Sequence, residues 1–188
     1  MKSENLTANE SLDLITAMIR QAKGNAQRNH FYFLLWGWVI VVANLSVFIL
    51  DKLDYSRPYV AWLITVPAWF FTFYKAFTSR HRQKMTTHFD RISGALWMSF
   101  GVSLFILVVF GNKINFQLNP IILVITAVPT LVSGIILNFR PLVAGAAIFW
   151  IGGVICFLVS KDMQPLIGAL TIALGYLVPG YMLRQKGE

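Results

Sequence analysis

Charge is scarce in this sequence and missing where the chain is most apolar. Charged residues make up 13 % of the chain, against about 25 % in soluble domains. The stretches 31–50 and 142–160 have none. Cysteine is also nearly absent. Cys156 stands alone, so an intrachain disulfide is excluded. No Asp, Glu, Lys, Arg or His falls near the middle of any apolar run. Ionisable groups at that depth mark proton relays and ion pathways, so a proton-coupled pump is disfavoured. An intramembrane hydrolase is disfavoured too, because its nucleophile needs a positioned base. His81 and His88 are seven residues apart without cysteine or acidic company, which is unlike a zinc site. The sequence therefore leads us to expect no catalytic residue, no cofactor, no metal and no enzymatic activity.

Hydrophobic residues make up 56 % of the 188 residues, arranged in runs. A bilayer core requires about 20 apolar residues per helix. Six segments meet this: 31–50, 58–77, 94–110, 120–139, 141–160 and 165–183. The first lacks a signal-peptide cleavage pattern and reads as a retained helix. Their connections are short, which makes sequence neighbours antiparallel neighbours in space. The expected fold is therefore all-α: a polytopic membrane domain over 31–183, built as three antiparallel hairpins. A cytoplasmic amphipathic helix within 1–30 precedes it and a cytoplasmic tail, 184–188, follows.

The net charge of +8 does not point to nucleic acid, because the basic residues flank apolar runs rather than forming a soluble basic face. Twelve of them fall before the first span, in the second and fourth connections and in the tail; Lys52, Arg57, Lys113 and Lys161 fall on the other side. Basic residues favour the cytoplasm. We therefore expect both termini to be cytoplasmic, in a multi-pass protein of the bacterial inner (cell) membrane.

Two cytoplasmic features invite partners. Residues 7–27 combine a Thr7/Glu10 capping box with an apolar face including Leu12, Ile15 and Ile19. That face suits either the headgroup layer or a cytoplasmic protein. The second connection holds Arg80, Arg82 and Lys84, which would attract anionic lipid or a partner.

Within the spans, polarity is mild. Asn44, Thr65, Thr126, Thr130 and Ser133 are candidates for interhelical hydrogen bonds or for lining a pathway. Pro67, Pro129 and Pro179 each remove a backbone donor and are candidate kinks. The prolines also follow a pattern. Trp36, Trp97 and Trp150 precede Pro67, Pro129 and Pro179 by 31, 32 and 29 residues. That spacing suggests three copies of one helical hairpin, related by an axis along the membrane normal. Gly145, Gly152, Gly153, Gly168 and Gly175 would allow the last two spans to approach closely.

The Glu10-Ser11-Leu12 helix, the run Phe31-Tyr32-Phe33-Leu34-Leu35-Trp36-Gly37-Trp38 and the five further spans resemble uncharacterised small six-helix bacterial inner-membrane proteins. In outline, the three hairpins are also similar to a bacterial acid-stress membrane protein family. Neither resemblance supplies a functional residue. The expected function is structural, regulatory or partner-binding within the membrane. The alternative is a small transporter or passive channel for a neutral or apolar solute. A continuous polar path would favour transport, and a sealed glycine-packed interior would favour the first reading.

Overall fold

Hydrocarbon offers no partner to backbone N–H and C=O groups, so a buried apolar run must satisfy them within its own segment. These runs do so as helices. The computed structural model describes residues 31–82 and 88–187, with side chains described apart from those of residues 76, 79–82, 88–90, 186 and 187. The helices are α1 (Phe31–Lys52), α2 (Thr65–Arg82), α3 (His88–Val109), α4 (Leu118–Ile136), α5 (Arg140–Leu158), α6 (Gln164–Ile172) and α7 (Val178–Gly187). No strand occurs among the described residues. Among the described residues, five helical stretches are long and apolar enough to cross a membrane: α1, 91–109 within α3, α4, α5, and 164–185 across α6 and α7.

The expected span 58–77 has a different form. Pro58–Ile64 is a 3-10 helix that opens on its proline and runs into α2. The apolar residues are divided between the two pieces, and α2 turns basic at Lys75, Arg80 and Arg82. No single helix here is therefore both long and apolar enough. A 3-10 helix rises about 2.0 Å per residue and an α-helix 1.5 Å, so 58–77 still reaches about 33 Å, against a hydrocarbon core of about 30 Å.

Helix ends follow local chemistry. After α4 the chain turns at Asn138, whose φ of 48° is left-handed and tolerable to Asn. The amide N–H groups of Asn138 and Phe139 donate back to the carbonyls of Ile135 and Gly134, satisfying helix-end acceptors. Pro141 in the first turn then opens α5, where a missing N–H costs nothing. Between α3 and α4 lies a 3-10 turn, Gly111–Ile114, followed by positive φ at Asn115 (51°) and Phe116 (56°).

The core lies among α1, α4, α5, α6 and α7, centred on Phe149, Leu142, Tyr176, Ala127 and Phe33. Glycine sets the spacing. A Cβ on Gly145 would sit 2.5 Å from the Gly175 carbonyl oxygen, and one on Gly134 would sit 2.9 Å from the Val143 amide nitrogen. Gly153 likewise meets Val124 at 2.6 Å, and Gly37 meets Leu177 at 2.6 Å. These pairs run in opposite directions along the chain, so α4 lies antiparallel to α5, and α1 to the α6–α7 rod. α3 is peripheral. None of its apolar window is buried, whereas 56 % of that of 164–185 is.

Trp69 links the periphery to the core. Its ring meets Trp36 of α1 edge-on, with centroids 5.3 Å apart, and stacks with Phe73 at 5.5 Å. Its Cη2 lies 3.7 Å from where a Cβ on Gly101 of α3 would be.

Candidate functional site

A polar side chain placed in an apolar helix bundle needs a partner, or its desolvation goes uncompensated. Ser and Thr have a nearby solution in the carbonyl one turn back. Thr126 donates to the Ile122 carbonyl at 2.5 Å, and Thr130 donates to that of Thr126 at 2.7 Å. Thr65 donates to the Trp62 carbonyl at 2.7 Å, where the 3-10 helix joins α2. These hydroxyls are spent on their own helices.

Longer-range polar contacts form a seam through the core. The hydroxyls of Thr130 on α4 and Tyr176 lie 3.1 Å apart, both buried. A hydroxyl has one proton. Thr130 uses its proton on the Thr126 carbonyl, so Tyr176 donates across the interface. Phe149 packs edge-on to the Tyr176 ring at 4.8 Å. Ser133 is buried and accepts from the Trp97 indole N–H at 3.3 Å, tying α3 to α4. Asn44 is 1 % exposed. Its amide donates to the Ile40 carbonyl at 3.0 Å, while its Oδ1 has no partner and lies against Gly168.

At one end of the bundle the seam closes in a polar cap. The buried Gln164 amide donates to Gln117 Oε1 at 2.7 Å and to the Cys156 carbonyl at 3.1 Å. Lys161 donates to the Asn115 carbonyl at 2.9 Å, and Lys52 pairs with Asp162 at 3.4 Å. The Asp162 carboxyl is held below the usual carboxylate value, chiefly by the Ser160 hydroxyl, with its own backbone amide and Lys52 adding to it. At the opposite end, the Trp38 indole donates to the Tyr181 hydroxyl at 3.0 Å, and the Lys75 ammonium sits 3.1 Å from the Phe31 ring centroid.

The three marker prolines occupy unlike places. Pro67 is the third residue of α2, exposed, directly after the 3-10 stretch. Pro129 is inside α4 and buried. Pro179 is buried at the start of α7, immediately beyond a π turn, Ala173–Leu177, in which the Val178 N–H reaches the Ala173 carbonyl. Pro179 has no N–H for the carbonyl four residues back, that of Gly175. That is the oxygen against which Gly145 packs. Residues 7–27 and Lys84 lie outside the described residues, as do the side chains of Arg80 and Arg82.

Sequence reading passed over Gln164 and Trp69. Gln164 sits at the end of a short connection; its signal is Pro165, which follows it and marks the start of a helix. Trp69 is one aromatic among many in Trp69-Phe70-Phe71-Thr72-Phe73-Tyr74, and nothing local distinguishes it.

Beside the seam, a cavity of about 240 Å³ opens between α3 and α4. Its walls include Leu96, Ser99 and Ser103 on α3, with Ile125, Val128 and Pro129 on α4. Among the described residues, no three of His, Cys, Asp and Glu gather in a way that would hold a metal ion. No family model matches the chain, and neither a curated protein nor a solved structure does.

Proposed function

We propose that the chain is a non-enzymatic, multi-pass protein of the bacterial inner membrane, with a structural, regulatory or partner-binding role. The observation that carries this reading is the interior. The glycines of α5 meet backbone and side chains of α4, of α6 and of the turn Ala173–Leu177 at closest approach, and the hydroxyls of Thr126 and Thr130 are bonded to carbonyls of their own helix, that of Thr130 also to Tyr176. Hydroxyls bonded in this way are not free to solvate a passing solute.

The proposed topology has six crossings with both termini cytoplasmic, 58–82 supplying the second crossing as a 3-10 helix followed by α2. It is supported by the polar cap, where the end of α1, the α3–α4 link and the α5–α6 link come together through Lys52–Asp162 and Lys161–Asn115. Six alternating crossings require those three links on one face. The helix pairs α1/α2, α3/α4 and α5/α6 would then be the three hairpins. A threefold repeat draws no support from its markers, since Pro67 is exposed near the start of α2, Pro129 is buried inside α4 and Pro179 is buried at the start of α7, after a π turn. On the cytoplasmic face we assign Arg80, Arg82 and Lys84 to anionic lipid, and residues 7–27 to a protein partner or the headgroup layer.

The transport alternative is tested by reconstituting the purified chain in liposomes and following the entry of small neutral solutes by light scattering. The proposal expects permeability equal to that of empty liposomes. A protein-dependent influx that Asn44→Leu or Thr130→Val abolishes would replace it with the channel reading.

A further inference from the structure

We draw no further inference here: the strongest candidate, the buried side-chain cluster where the unpartnered Asn44 Oδ1 of α1 faces Gly168 of α6 close to the Asn119 side chain of α4, is a contact between helices, and nothing among the described residues shows a space beside it or what would fill it.

Discussion

Tyr176 donates its phenolic proton to Thr130 across 3.1 Å at the centre of the core, joining the α6–α7 rod to α4. Interhelical hydrogen bonds in membranes average about 0.6 kcal/mol, with a ceiling near 1.7. Tyr176→Phe should therefore lower stability by no more than about 1.5 kcal/mol, because the ring keeps its contacts with Phe149 and Phe33. A double-mutant cycle with Thr130→Val, read by denaturant unfolding in detergent, should give a coupling of about 0.6 kcal/mol. A coupling of zero would remove this bond from the account.

Glycine substitutions should divide sharply by position. Gly145→Ala drives a methyl group into the Gly175 backbone oxygen, which cannot move away as a flexible side chain would. Overpacking of that kind costs about 1–3 kcal/mol. Gly94→Ala in α3 meets nothing within 4 Å, and Ala is the better helix former by up to about 1 kcal/mol. Thermal unfolding should show the first variant falling and the second equal to or above the wild type. The opposite order would contradict the packing of α5 on the turn Ala173–Leu177.

Asn44 invites a substitution that removes polarity yet improves stability. Its Oδ1 is buried without a partner, and replacing an unsatisfied polar group with an apolar one of similar shape is neutral or stabilising. Asn44→Leu should leave the unfolding midpoint unchanged or raise it. A loss of more than about 1 kcal/mol would mean that the amide is satisfied in the membrane by a group such as Asn119.

The polar cap should respond weakly to acid. Asp162 has a folded-state value below its ordinary one, through Ser160 first, with its own backbone amide and Lys52 contributing. Its contribution is therefore complete above the unfolded value of about 3.9 and is lost as pH falls through the folded value. The pair is exposed, so the effect is small. Unfolding midpoints compared at neutral pH and under strong acid should converge slightly between wild type and Asp162→Asn. An identical pH response in both would dismiss the pair as a stabilising contact.

Much of this architecture was legible because hydropathy and length decide it. The runs at 31–50, 120–139 and 141–160 needed to be helical, and α1, α4 and α5 are. What hydropathy cannot distinguish is the kind of helix. Pro58 opens a 3-10 segment as readily as an α-helix, and the π turn at Ala173–Leu177 differs from its neighbours only by preceding Pro179. Nor does composition separate a central span from a peripheral one. α3 is as apolar as α4, yet only α4 carries the buried column of Thr126, Thr130 and Ser133. Those residues were legible as candidates from polarity alone. Their partners, Tyr176 and Trp97, depended on which helices meet. The Gln164–Gln117 bond of the cap depended on it as well, since its partners lie 47 residues apart.

The central claim is that the chain crosses the membrane repeatedly with 58–82 as a full crossing, and that segment decides between an even and an odd number of passes. Single cysteines at Ser56→Cys and Gln83→Cys bracket it, and buried Cys156 leaves little background. In intact cells, an impermeant thiol reagent should label Ser56→Cys and should reach Gln83→Cys only after the membrane is broken. Labelling of Gln83→Cys in intact cells, alongside Ser56→Cys, would contradict the account.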